Sequence, residues 1–229
     1  MLDPVMHKKV MTMVLKDIYA DAIVGPVLGF KGGTAAFLFY NLPRFSVDLD
    51  FDLLDQEKED ELLVRLTKIL GKRGVVREAV KKRFTLFFLL SYQKGQRSIK
   101  VEISRRPSGS DYEVKTFLGI PMRVMKLPDM IAGKLAALLT RVHFASRDVF
   151  DLWYFLDQQW DINDQALREK TGLSKKAALR RAIKLIQGVD PAQLLMGLGE
   201  LVNQKQKNWI KTKLKDETLF LLKLNCDIK

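Results

Sequence analysis

Apolar residues along this chain follow two periods, and the switch between them organises it. Near the start, Val5, Val10, Met13, Val14 and Ile18 fall near one face of a helix over residues 2–22. Asp3-Pro4 supplies a cap followed by proline at the first helical position. A short glycine-bounded apolar run, residues 24–30, predicts a strand, and residues 34–40 predict a helix packed on it. Asn41-Leu42-Pro43 then turns the chain into a strictly alternating segment. Val47, Leu49, Phe51 and Leu53 share one side of it, and Asp48, Asp50 and Asp52 share the other. Residues 56–72 predict a polar-faced helix ended by Gly71 and Gly74. Between Val75 and Val124, β-branched and aromatic runs predict strands at 75–80, 84–92, 98–104, 112–117 and 122–125. Turns such as Gln93-Lys94-Gly95-Gln96 and Pro107-Ser108-Gly109-Ser110 join them into a meander. After Lys126 the period becomes helical, with helices at 127–141, 146–157, 164–170, 174–187, 191–203 and 205–224. The expected fold class is α+β, with a core at residues 1–125 and a helical C-terminal part at 126–229.

Composition narrows the function classes. In 229 residues, 47% hydrophobic content suffices for a core, and 29% charged content suits a solvated surface. No apolar run is long enough to span a bilayer, and Lys8, Lys9 and Lys16 break any leader-like stretch. The single cysteine, Cys226, excludes an internal disulfide and suits a reducing compartment, so a cytoplasmic protein without a membrane partner is expected. The net charge of +12 favours polyanionic partners, nucleic acid first and an acidic protein second. Much of that charge crowds the C-terminal third, including Lys175, Lys176, Arg180 and Arg181. His7 and His143 have no neighbouring Cys or second His in the sequence, which argues against zinc. The chain lacks both a Gly-x-Ser-x-Gly element and a P-loop, leaving serine hydrolase and Walker-type ATPase chemistry without support.

The acidic strand raises a chemical question. Three carboxylates on one face repel one another, and either a divalent cation or solvent must offset that. Hard cations such as Mg2+ take one or two carboxylates plus phosphate oxygens. Aspartates at i and i+2, here Asp48 and Asp50, suit ions that clamp the attacking and leaving oxygens of an in-line displacement. Asp52 continues the face, either as a supporting group or in solvent. Upstream, Gly32-Gly33-Thr34 is a turn whose glycines let a backbone approach a phosphate, at the start of a helix whose free N–H groups favour an anion. The hydroxyls of Thr34 and Ser46 either meet phosphate or cap the local backbone. Arg44 precedes the acidic strand, where its cation meets phosphate or covers a surface.

Gly32-Gly33-Thr34 followed by Arg44-x-Ser46-x-Asp48-x-Asp50 resembles the signature of the DNA polymerase β-like nucleotidyltransferases, and its wording is most similar to the AbiEii/AbiGii toxin branch. The resemblance implies a polymerase β-like core with a mixed sheet and a metal-dependent transfer of a nucleoside monophosphate from an NTP to a hydroxyl. It implies two Mg2+ ions, with Mn2+ as a substitute. An RNA 3′ end, tRNA foremost, is the implied acceptor, and a cognate antitoxin is an implied partner. It also implies a third carboxylate on a later strand. Glu102, flanked by Val101 and Ile103, fits that place, its alternative being a surface strand residue. A second constellation is similar to the later motifs of the same family: Gly133-Lys134 through Arg141, then Arg147-Asp148-Val149-Phe150-Asp151. By resemblance Lys134 contacts the nucleotide phosphates and Asp148 is the motif aspartate, with Asp151 as the alternative. From the residues alone, Lys134 is either buried against an anion or snorkels to solvent, and Arg147 and Asp148 are either part of this motif or an ordinary helix-start ion pair. A non-catalytic nucleotide- or nucleic-acid-binding module and a small-molecule nucleotidyltransferase are the competing readings.

Overall fold

Asp3 starts the first helix as its composition requires: its carboxylate accepts the Val5 and Met6 N–H groups, and Pro4 follows at the first position of α1 (Pro4–Ala20). The computed structural model describes residues 2–107 and 109–227. The inward stripe of α1 is His7, Met11, Val14, Leu15 and Ile18. This corrects the expected stripe, for Val5 is 81% exposed. His7 takes the place that Val5 was expected to fill.

The chain divides into two compact units, one of Met1–Asn41 with Phe45–Met125, the other of Leu42–Arg44 with Lys126–Lys229. The first unit is built on a mixed seven-stranded sheet. Its strands are β1 (Leu28–Lys31), β2 (Leu49–Leu53), β3 (Val75–Lys81), β4 (Thr85–Ser91), β5 (Ile99–Ser104), β6 (Tyr112–Phe117) and β7 (Ile120–Met125). The order across the sheet is β3-β4-β5-β2-β1-β7-β6, with β2–β5 and β1–β7 parallel and the other pairs antiparallel. The expected single meander is therefore split. β3, β4 and β5 flank β2 on one side, while the β6–β7 hairpin flanks β1 on the other. Burial explains the split: Leu28, Phe30, Leu49 and Phe51 are fully buried, so β1 and β2 need a neighbour on each edge. Of the turn expected at Pro107–Ser110, Ser108 lies outside the described residues.

One face of the central strands is apolar throughout. Phe30, Phe51, Val101, Ile103 and Phe88 on this face are all buried completely. Helices α1 and α3 (Glu59–Gly71) pack against the sheet and each other. The strand expected at residues 24–30 begins late, because Gly25–Val27 forms a 3-10 turn around Pro26, which has no N–H to give a ladder. The helix that follows β1 begins early, as α2 (Gly32–Phe39). The helix expected over 56–72 is likewise a 3-10 turn capped by Asp55 and then α3.

The second unit is helical: α4 (Leu127–Thr140), α5 (Ser146–Asp157), α6 (Asp164–Thr171), α7 (Lys175–Gln187), α8 (Gln204–Thr212) and α9 (Leu214–Asp227). Leu135, Leu152, Phe155, Leu179, Ile186 and Leu222 fill its core. Two expectations fail here. Residues 191–203 make only a 3-10 turn, Pro191–Leu195, and the backbone then bends through Gly197 at φ +74°. Residues 205–224 form two helices broken at Lys213 rather than one, with Asn203 and Gln206 closing a capping box at the start of α8. No helix among the described residues is long and apolar enough to cross a membrane.

Candidate active site

In the first unit the β1–α2 turn meets the acidic strand directly. Gly32 holds φ +78°, and a Cβ there would stand 2.3 Å from Asp50 Oδ2. The Asp50 carboxylate therefore lies against the backbone of this turn, and only glycine leaves it room. Lys31 occupies the N-cap of α2 without a side-chain capping bond, so the opening N–H groups of the helix gain no cap from it. Gly33, next in the turn, is buried.

The sheet register sets the carboxylates. In β2, Asp50 stands beside Glu102 of β5 on one side and beside Lys31 of β1 on the other. Cross-strand partners share a face, so Asp50 and Glu102 project from the same side, opposite to Leu49 and Val101. Asp48 precedes the first ladder residue, Leu49, and its Oδ1 is buried without a hydrogen-bond partner among the described residues. Side chains are not drawn into a closed cage: among the described residues no group of three or more His, Cys, Asp or Glu stands together as a metal-binding set.

Asp52 has a different fate from its neighbours on the strand. Lys31 Nζ lies 2.5 Å from its Oδ1, and the Tyr112 hydroxyl donates to its Oδ2. The Tyr112 ring fills the space where a Cβ of Gly29 would sit, which is why residue 29 carries no side chain. Of its two expected places, supporting group or solvent, the solvated one is excluded: Asp52 is 2% exposed, and an ammonium and a phenol meet its charge. Thr34 is also corrected. Fully buried, its hydroxyl donates to the Asp48 carbonyl, so its proton is not presented to a phosphate. Ser46 is buried as well, at 7% exposure.

His7 reaches the same backbone from α1. Its Nε2–H donates to the Val47 carbonyl at 2.9 Å, and its Nδ1 lies 2.9 Å from the Tyr92 hydroxyl. Burial holds this histidine below its ordinary pKa, and the Val47 carbonyl, which can only accept, places a proton on Nε2.

The second unit holds a buried ion cluster. Arg44 is 3% exposed and grips Asp151 with two parallel bonds, Nε to Oδ1 at 2.6 Å and a terminal nitrogen to Oδ2 at 2.7 Å. The expected meeting of Arg44 with phosphate or solvent gives way to this pair. Lys134 Nζ lies 2.6 Å from Asp151 Oδ2 and 3.5 Å from Asp148 Oδ1. Lys134, 13% exposed, is therefore held against anions and does not snorkel. Asp148 is also approached by Arg141 Nε, 3.1 Å from Oδ2, in a charge contact without hydrogen-bond alignment. Asp148 thus meets Lys134 and Arg141, and the alternative of an ordinary helix-start pair with Arg147 does not form among the described residues. Desolvation pushes the Asp151 carboxyl up, but the charges of Arg44 and Lys134 outweigh it and bring the group down to about 2.

Residues 14–219 match the family model for the nucleotidyl transferase AbiEii toxin of type IV toxin–antitoxin systems. The chain belongs to the AbiEii nucleotidyltransferase toxin family. Two solved structures from Helicobacter pylori share the fold. A candidate nucleotidyltransferase is 22% identical with a TM-score of 0.62, covering 97% of this chain and 94% of its own. JHP933 is 21% identical with a TM-score of 0.63, covering 99% and 94%. A comparison with curated proteins finds no match. AbiEii membership makes this a toxin-family nucleotidyltransferase and implies a cognate antitoxin. Around the AbiEii signature, sequence reasoning missed contacts at three places: Lys31 and Tyr112 at Asp52, His7 at Val47, and Arg44 on Asp151. Only His7 left a signal, its spacing of 4, 7, 8 and 11 residues from the buried Met11, Val14, Leu15 and Ile18.

Proposed function

We propose that this AbiEii-family chain is a metal-dependent nucleotidyltransferase. It moves a nucleoside monophosphate from an NTP to a hydroxyl at an RNA 3′ end, and family resemblance makes tRNA the first candidate. One observation carries the reading: Asp50 stands in register with Glu102 against the Gly32 turn, while Asp48 keeps a buried oxygen with no hydrogen-bond partner among the described residues. Mg2+ usually relies on one or two carboxylates together with substrate phosphates, so a pair of carboxylates suits it without a closed cage. Asp48 and Asp50 would hold Mg2+ or Mn2+, with Glu102 as the third carboxylate. The bound ions supply Lewis acidity to the attacking hydroxyl and to the departing pyrophosphate.

The chain's own groups do the rest. The backbone N–H groups of Gly32 and Gly33 open α2 and suit phosphate oxygens. Glu102, whose side chain has no hydrogen bond or ion pair among the described residues, is free to take the proton of the attacking hydroxyl. Lys134 contributes a cation for the nucleotide phosphates, and Asp148 the later motif carboxylate, as the resemblance implies. Changing Glu102→Gln keeps shape and removes the base. Turnover is expected to fall by roughly 10²–10⁴, with NTP affinity by calorimetry close to wild type; unchanged turnover would remove Glu102 from the site.

The acceptor is read from α7. Lys176, Arg180, Arg181 and Lys184 are exposed on this helix, which carries no acidic residue. Among the described residues none of the four is in an ion pair. Residues four apart repeat about every 6 Å along a helix, so Lys176, Arg180 and Lys184 form a row that a phosphate backbone can follow. The test is a salt series of RNA binding with wild type and a variant in which all four become glutamine. Loss of four phosphate contacts is expected to lower the slope of log affinity on log salt by roughly 3, together with transfer to RNA, while NTP binding persists. An unchanged slope and unchanged labelling would rule out RNA on this helix.

A further inference from the structure

The proposed metal ligand Asp48 sits at an awkward place in the chain. It lies just before β2, whose ladder begins at Leu49. A strand residue has its backbone fixed by neighbouring strands; residues 47 and 48 lack that support. Two side chains from other elements supply it instead. Nε2–H of His7, from α1, donates to the Val47 carbonyl at 2.9 Å. The hydroxyl of Thr34, from α2, donates to the Asp48 carbonyl. The carbonyls on either side of the Asp48 N–Cα–C unit are thus each held by a buried donor.

His7 is built for that task rather than for packing. It is fully buried on an otherwise apolar stripe, where leucine would fill similar space without a polar group to satisfy. Both of its ring nitrogens are engaged, Nε2 with Val47 and Nδ1 with the Tyr92 hydroxyl. The Tyr92 hydroxyl donates to Nδ1 and so keeps the ring proton on Nε2, where the Val47 carbonyl needs it. Phe45 and Tyr92 meet the ring edge-on, with centroids 6.1 Å and 5.5 Å away, and fix its plane. The result is an aspartate whose backbone is clamped while one carboxylate oxygen stays buried and unpartnered.

We propose that His7 is a positioning residue for the aspartate pair, setting through the Val47 carbonyl the backbone from which Asp48 presents its carboxylate to a divalent cation. This rests on the metal-dependent reading above. Loss of a group that orients a ligand typically weakens metal binding or activity by about 10–100-fold.

The test reads Mn2+ binding by electron paramagnetic resonance on nucleotide-free full-length protein, alongside melting in chelator. Wild type, Asp48→Asn, His7→Leu, His7→Gln and Tyr92→Phe are compared. Wild type is expected to bind Mn2+ and Asp48→Asn to lose it. His7→Leu should bind roughly tenfold more weakly, while His7→Gln, whose amide N–H reaches the Val47 carbonyl, should recover most of the affinity at similar melting temperature. Should His7→Leu fail to fold, Tyr92→Phe carries the test, since it keeps the imidazole and releases only the hold on its tautomer; weaker Mn2+ binding is expected. Mn2+ affinity equal to wild type in His7→Leu and Tyr92→Phe, with Asp48→Asn impaired, overturns the role of His7 and leaves the metal reading standing. Equal binding by wild type and Asp48→Asn, or none by wild type, overturns both.

Discussion

Replacing Asp48 or Asp50 by asparagine is expected to abolish nucleotidyl transfer while the fold stays in place. Each change is isosteric and removes one charge from the face where Asp50 and Glu102 stand in register. A carboxylate that holds a catalytic cation controls several kcal/mol of transition-state stabilisation, so rates should drop by at least about 10³-fold, or roughly 4 kcal/mol. Stability should hardly move. The core beneath is Leu49, Phe51, Val101 and Ile103, all fully buried and untouched by the change. In chelator the melting temperature should therefore shift by about 2 °C or less. Any growth inhibition by the wild-type chain should vanish in both variants. Full activity in both single variants would remove the pair from the chemistry.

Asp151→Asn has the opposite profile, with a large cost in stability. Its carboxylate is 0% exposed and receives both Arg44 and Lys134. Removing one member of a buried pair strands the other charge, at about 3–5 kcal/mol. For a chain of this length that is a fall in melting temperature of roughly 6–20 °C. Replacing both partners, as in Arg44→Met with Asp151→Leu, should lose much less, because no charge is left unpaired. The same pair predicts acid sensitivity. Asp151 is brought down from 3.8 to about 2 in the folded chain, so the unfolded chain binds the proton first. Its stabilising contribution is complete above the unfolded value and disappears as pH falls from about 4 through 2. Melting curves across that window should show a shallower decline for Asp151→Asn than for wild type. An equal decline, or a stability loss in the single variant no larger than that of an exposed substitution, would contradict the assignment.

How much of this was legible depended on whether a residue's partner lies nearby in the sequence. The alternation from Val47 to Leu53 announced a strand with one acidic face, because a strand's period is local. The place of Glu102 beside Asp50 followed only once β5 paired in parallel with β2, across some fifty residues of chain. Asp3-Pro4 declared the start of α1 by its own chemistry, and the cap is there. What the sequence hid were long-range polar contacts. Arg44 to Asp151 spans 107 positions, Tyr112 to Asp52 spans 60, and His7 to Val47 spans 40. Each turns a residue with two or three plausible local roles into one with a definite partner. The C-terminal helices failed for another reason: residues 191–203 contain Gly197 and Gly199, and helical periodicity outweighed the glycine signal there.

The most direct measurement of the central claim follows the label of the nucleotide. Wild-type protein, Mg2+ and total RNA are incubated with each NTP labelled at the α-phosphorus, and in parallel at the γ-phosphorus. For one or more NTPs the account predicts α-label on RNA, γ-label released as pyrophosphate, and neither outcome in chelator or with Asp50→Asn. Transfer of γ-label to RNA, or α-label transfer that Asp50→Asn leaves intact, would contradict it.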